Sequence, residues 1–179
     1  MQTTKNAGSQ KFIIHARKAL LKKLSPKENL NIPPLKYEFV YRLKDHFKKD
    51  EVIINGGIKS INEIKDHLKK VDGVMIGRAI YHSPYFLAEI EKEVFGNKNV
   101  PTRSEVMENL IPYIQEETSK GTQLNHIMRH TVGLFHGQNG SKTWKQYLSK
   151  NMCIRDADLQ KVNRIMDQVK KTNPVSLER

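Results

Sequence analysis

The chain has 179 residues, 37% of them hydrophobic, which is enough for one domain of ordinary size or two small ones. Its formal net charge of +12 at pH 7 favours binding of a polyanion such as a nucleic acid, although basic chains can also be merely soluble. No run approaches the roughly 18 apolar residues of a membrane-spanning helix, and the N-terminus lacks the apolar core of a signal peptide. The single cysteine, Cys153, excludes an internal disulfide and a thiolate metal site within one chain, and fits a cytoplasmic protein.

The first part of the chain alternates short β-rich runs with helical patterns. The runs are KFIIH (residues 11–15), EVIIN (51–55) and GVMIG (73–77). Apolar residues recur at helical spacing from Tyr37 to Phe47, between the first two runs. Ser60 and Glu63 form a capping-box pattern before the helix that precedes the third run. This alternation favours an α/β fold with a parallel sheet and right-handed crossovers.

Beyond Pro101 the strand patterns stop, and only helices are predicted. They cover residues 105–119, after a cap at Thr102 or Ser104, and then residues 124–135, 141–149 and 156–171. The predicted domains are therefore residues 1–101, which are α/β, and residues 102–179, which are all-α.

The positive charge is concentrated in two segments without acidic residues, 1–27 and 118–155. A lysine-rich run is usually a solvated face. Two separate segments of this kind, in a chain that otherwise mixes both signs, favour a shared phosphate-binding surface.

The predicted strands end in residues that suit anion binding. The second runs into Asn55-Gly56-Gly57 at its end, and the third into Gly77-Arg78. Backbone N–H groups at a glycine-rich turn before a helix attract anions, and an arginine adds a multidentate donor. Such glycines can also serve tight turns alone, but two such turns with an arginine at βαβ spacing favour phosphate. In (β/α)8 barrels the usual phosphate site lies in the loops after strands seven and eight.

His15 ends the first predicted strand and lies at the same rim if the strands are parallel. A histidine there can hydrogen-bond a ligand, or it can simply be satisfied by nearby backbone. The residue pattern alone leaves both possibilities open.

Four strings resemble one known family: FIIHARKALLKKLSPKENLNIPPLKYEFVYRLK, INGGIKS, DGVMIGRAIYHSPY and MRHTVGLFHGQNGSKTWKQYLS. They resemble the C-terminal half of the tRNA-dihydrouridine synthases, specifically the A branch, over residues 11–151. The resemblance implies the C-terminal part of a (β/α)8 TIM barrel, with about three parallel strands, followed by a helical tRNA-binding domain. It also implies an enzyme that uses FMN and NADPH to reduce uridines of the tRNA D loop (positions 20/20a) to 5,6-dihydrouridine.

The resemblance also assigns roles to individual residues. The implied FMN-binding residues are His15, Asn55, Gly56, Gly57, Gly77 and Arg78. The implied tRNA-reading residues are Lys27, Leu30, Lys142 and Lys145. Leu30 stands where the family usually has arginine, and Lys142 and Lys145 replace arginines that could grip phosphate bidentately, so the choice of uridine is not settled by these positions.

A complete barrel takes about 250 residues, whereas three barrel strands are predicted here. The resemblance places the family's catalytic cysteine in a missing N-terminal half, so no catalytic residue and no metal ligand is assigned in this sequence. Cys153 lies in a predicted helical region and is interpreted as a small buried hydrophobe.

Three functional hypotheses follow. The chain is a fragment or one half of a split dihydrouridine synthase, or it is a non-catalytic basic RNA-binding module, and flavin binding would distinguish these two. A third, a barrel acting on a small sugar phosphate, leaves the HARKALL string unexplained.

Overall fold

The structure is a computed structural model that describes residues 1–20, 23–29, 31–151 and 167. Leu30, Cys153 and all but one residue of the helix predicted for 156–171 lie outside this part of the chain. The strands are β1 (Lys11–His15), β2 (Glu51–Asn55) and β3 (Gly73–Met75). The helices are α1 (Gln2–Asn6), α2 (Pro26–Asn29), α3 (Tyr37–His46), α4 (Ile61–Leu68), α5 (Arg78–His82), α6 (Phe86–Glu93), α7 (Arg103–Ser119), α8 (Leu124–Met128) and α9 (Ser141–Asn151), with a 3-10 helix at Arg129–Thr131.

The three predicted strands are confirmed, and they form one parallel sheet in the order β1-β2-β3. β1 and β2 have the predicted bounds, whereas β3 ends two residues early, at Met75, because the chain leaves the sheet to begin α5 at Arg78. The register pairs His15 with Asn55, and Asn55 with Met75. The carboxyl ends of all three strands therefore lie in one row.

The two faces of the sheet differ in burial. Val52 and Ile54 of β2 are completely buried on the face that packs against α3, and α4 packs against β3. On the opposite face Ile13 is 56% exposed and Met75 is 43% exposed. Because side chains alternate along a strand, α3 and α4 cover one face and leave an apolar opposite face open to solvent.

Two capping boxes start α4 and α7 as predicted. The Ser60 hydroxyl accepts a hydrogen bond from the Glu63 N–H, and Thr102, rather than Ser104, does the same with the Glu105 N–H. Each glutamate accepts a bond from its cap backbone, so each box satisfies two of the N–H groups at the start of its helix.

The helix predicted for residues 124–135 is interrupted. α8 ends at Met128, and the Thr131 hydroxyl donates to the Met128 carbonyl, a local bond that competes with continued helix. Gly133 lies so close to the His82 carbonyl that a Cβ at this glycine would be 2.0 Å from that oxygen. The chain bends here because tertiary packing overrides the helical spacing.

Residue contacts divide the chain into two units, Met1–Ala79 and Ile80–Arg179. The sheet and its covering helices belong to the first. The described strands all lie there, and the described part of the second unit is helical, with the buried Trp144 at its centre. The domain boundary predicted near Pro101 lies later in the chain and stays a prediction.

Trp144 is completely buried in the second unit. Its indole N–H donates to the Thr131 carbonyl at 2.9 Å, and its ring meets Phe135 edge-on with centroids 5.2 Å apart. This core fixes α9 against the other helices of the unit. None of the described helices is long and apolar enough to cross a membrane.

Candidate functional site

The strand ends bring the predicted site residues together in the first unit. His15 and Asn55 are register partners, and the Ala16 N–H donates to the Asn55 carbonyl at 2.8 Å, which extends the ladder one residue beyond β1. The turn Gly56-Gly57 starts directly after this bond. His15 and the glycine turn are therefore neighbours at the carboxyl edge of the sheet.

The turn itself requires glycine. Gly56 has φ +129° and Gly57 has φ +72°, a region that side-chain-bearing residues rarely adopt. A Cβ at Gly56 would lie 3.4 Å from the His15 ring, and one at Gly57 would lie 2.5 Å from Leu35. The bare backbone thus packs between a histidine ring and a leucine, and this close approach explains both glycines.

The N–H groups of this turn form the candidate anion site. Within the described part of the chain, neither Gly56 nor Gly57 donates a backbone hydrogen bond. By contrast, the N–H groups of Lys59 and Ser60 already donate to the Glu63 carboxylate. The Glu63 carboxylate therefore occupies the two N–H groups that directly precede α4.

Two arginines lie near His15. Burial, followed by the charges of Arg17 and Arg78, lowers the pKa of His15, so the imidazole is held neutral in a positively charged setting. The Arg78 guanidinium is exposed and donates to the Asn31 side-chain oxygen at 2.6 Å. Beside it, a Cβ at Gly77 would meet no described atom within 4 Å. The second loop therefore opens onto free space next to a cation.

Arg17 has a different role from Arg78. Its guanidinium donates to the carbonyl oxygens of Asn31 (3.1 Å) and Pro33, and its Nε is buried without a described partner. Arg17 therefore ties the segment before α3 to the end of β1. The guanidinium of Arg17 is thus held by backbone carbonyls, whereas that of Arg78 is exposed.

The predicted tRNA residues lie elsewhere. Lys27 is exposed on α2 in the first unit, and Lys142 and Lys145 are exposed on α9 in the second. The last two are three residues apart and so share one helical face, with Trp144 buried on the other. The structure brings this pair together.

Sequence reasoning missed three residues of the site. Asn31 binds Arg78, Leu35 packs on Gly57, and the Tyr37 hydroxyl donates to the Gly56 carbonyl at 2.8 Å. Tyr37 had been interpreted only as a helix-core residue. The hydroxyl of Tyr37 is the feature of the sequence that could have indicated this contact, because a tyrosine on a half-buried helix usually finds a polar partner.

A parallel sheet with helices on one face and with glycine turns and an arginine at its carboxyl edge places the first unit in the α/β class. The chain belongs to the dihydrouridine synthase family, whose profile, described as "Dihydrouridine synthase (Dus)", matches residues 1–171. The resemblance seen in the sequence is confirmed.

The relatives carry one functional name. A tRNA-dihydrouridine(20/20a) synthase of Haemophilus ducreyi is 50% identical over 159 residues, which cover 88% of this chain and 49% of the relative. The synthase of the same name from Vibrio parahaemolyticus is 49% identical over 149 residues (83% and 46%), and that of Synechocystis sp. is 46% identical over 153 residues (85% and 46%). The chain spans about half the length of the curated relatives it matches.

Proposed function

We propose that this chain supplies the phosphate-binding and tRNA-binding half of an FMN- and NADPH-dependent tRNA-dihydrouridine(20/20a) synthase. The observation that carries the proposal is the row of strand ends, where His15, the Gly56-Gly57 turn and the Gly77-Arg78 loop lie at one edge of a parallel sheet. Family membership supports the same activity, since the matched relatives bear that name.

The sheet is suited to pair with further strands. Among the described residues β1 and β3 each pair with β2 alone, so both are edge strands. The solvent-facing side of the sheet exposes Ile13 and Met75, an apolar surface that a closed barrel would fill with side chains from other strands. The proposed partner is the N-terminal barrel half, which also carries the catalytic cysteine of the family.

The residues at the carboxyl edge fit the phosphate of FMN. The glycine turn offers backbone N–H groups, Arg78 offers a charged donor, and Gly77 opens onto space that a side chain would otherwise occupy. His15 is kept neutral and can hydrogen-bond the flavin. When bound, FMN supplies the hydride transfer from NADPH to the uracil ring, while these residues hold and orient it.

The exposed lysines suit the phosphates of tRNA. Lys142 and Lys145 present two ammonium groups on one face of α9, and the buried Trp144 anchors the opposite face of this helix. Lys27 is a further exposed lysine, on α2 of the first unit. Leu30, the fourth position of the signature, lies outside the described residues. A lysine contacts phosphate as a point charge and carries no base readout, so these residues would position the tRNA.

The test is reconstitution. The chain is coexpressed with the N-terminal half of the Haemophilus ducreyi relative, and dihydrouridine in tRNA is measured by mass spectrometry with FMN and NADPH present. We expect product from the pair and neither retained flavin nor product from the chain alone, because the turn and loop hold only one end of FMN. Dihydrouridine formed by the chain alone would contradict the proposal.

A non-catalytic RNA-binding module is the second candidate, favoured by the exposed pair on α9, which needs no flavin. That function would be indicated by salt-dependent tRNA binding together with a reconstituted pair that assembles but holds no FMN.

A further inference from the structure

The hydroxyl of Tyr37 is bonded to the glycine turn. It donates to the Gly56 carbonyl at 2.8 Å, and a Cβ at Gly57 would lie 3.5 Å from the same oxygen. The carbonyl has no proton, so the tyrosine must be the donor. Burial, with a smaller contribution from Glu63, raises the pKa of Tyr37, so this donor persists through the physiological pH range.

A bond to one side of a peptide plane orients the other side. The Gly56–Gly57 peptide is trans, and in a trans peptide the carbonyl oxygen and the amide hydrogen point in opposite directions. Because both residues are glycine, rotation of this plane meets little steric resistance. Without an anchor, the peptide could turn its carbonyl toward an anion and its N–H away from it.

We infer that Tyr37 is a positioning residue for the phosphate site: it holds the Gly56 carbonyl and thereby presents the Gly57 N–H on the opposite side, to the anion. The inference rests on the proposed function, because Tyr37 would act on the same phosphate site through the peptide that it orients.

Tyr37 is itself held on several sides. It begins α3, and the N–H of the preceding Lys36 donates to the Ala16 carbonyl at 2.7 Å. Its ring meets the buried His67 of α4 edge-on, with centroids 4.5 Å apart. Tyr41, one turn further along α3, bonds the His67 Nδ1 through its own hydroxyl at 2.8 Å. Tyr37 is therefore fixed before any ligand binds.

Tyr41 provides a matched control. Tyr37→Phe and Tyr41→Phe each delete one hydroxyl from the same helix and from the same contact group around His67. Only the first removes a bond to the turn. A loss of general packing would affect both variants, whereas a loss of peptide orientation would affect Tyr37→Phe alone.

The experiment titrates the 15N-labelled chain with inorganic phosphate at constant ionic strength, following amide resonances and the His15 ring by NMR. In the parent we expect both the Gly57 N–H and His15 to respond. Tyr37→Phe should shift the Gly56 and Gly57 amides before phosphate is added, and should weaken binding at this site about two- to tenfold, as for one neutral hydrogen bond. Tyr41→Phe should match the parent at the Gly57 amide.

Two results would overturn the inference while leaving the proposed function intact. One is a parent in which His15 responds to phosphate but the Gly57 N–H does not, a measurement that needs no variant. The other is a Tyr37→Phe chain with the same Gly57 shift and phosphate affinity as Tyr41→Phe. If neither His15 nor the turn of the parent responds, the phosphate site itself is refuted, and the positioning role with it.

Discussion

Replacing Arg78 by alanine removes an exposed guanidinium beside the open second loop. The side chain is solvent-accessible and donates to the exposed Asn31 side chain, so the fold should not depend on it. A charge-assisted hydrogen bond to phosphate contributes about 1.5–3 kcal/mol, so Arg78→Ala should weaken FMN binding by about 10- to 150-fold. Riboflavin, which lacks the phosphate, should bind equally well to parent and variant.

The same substitution should change His15. Because the charge of Arg78 contributes to lowering the pKa of His15, its removal should raise that pKa toward the ordinary value. Burial and the charge of Arg17 remain in the variant, so the pKa of His15 should rise only part of the way to its ordinary value. A titration of the His15 ring by NMR measures this shift in the chain alone.

The binding assay uses the reconstituted pair, with FMN and riboflavin followed by flavin fluorescence. Arg42→Ala is the control, since Arg42 is an exposed arginine of α3 that stacks on Phe39 and its loss changes the net charge equally. Equal FMN affinities in Arg78→Ala and Arg42→Ala would refute the assignment of Arg78 to the phosphate site. If Arg78→Ala weakened riboflavin binding as much as FMN binding, Arg78 would not act through a contact with the phosphate.

The remaining predictions concern RNA and pH. Lys142→Ala and Lys145→Ala should each weaken tRNA binding across sequences and reduce the slope of log affinity against log salt by about one. Lys120→Ala should not change the slope, because the Lys120 ammonium is already paired with acidic residues of α7. Equal slopes in all three variants would show that the α9 lysines do not contact phosphate. His15 and His67 both have a lowered pKa, chiefly through burial. As the pH falls below about 6.5, these two histidines are therefore protonated in the unfolded chain before they are protonated in the folded chain. Urea unfolding should therefore show stability falling from pH 7.5 to 5.5, less so in His67→Gln, and a flat profile would contradict the pKa directions.

The elements readable from sequence are those set by neighbours along the chain. KFIIH and EVIIN became β1 and β2 with the predicted bounds, because short β-branched runs between polar segments have few other favourable conformations. Ser60 and Thr102 cap their helices, since a capping box closes within four residues. The glycine turns and Arg78 were found in the same way, as residues that directly follow a strand.

Tertiary structure decided what depends on groups distant in sequence. Whether residues 124–135 form one helix depended on the approach of Gly133 to the His82 carbonyl, which no local period encodes. Whether Arg17 or Arg78 remains available to a ligand depended on which carbonyls lie within reach of each guanidinium. The Tyr37 bond to Gly56 joins groups 19 residues apart and exists only once α3 has packed on the sheet. Hydrogen bonds act over about 3 Å, so such partners are determined by folding, not by spacing along the chain.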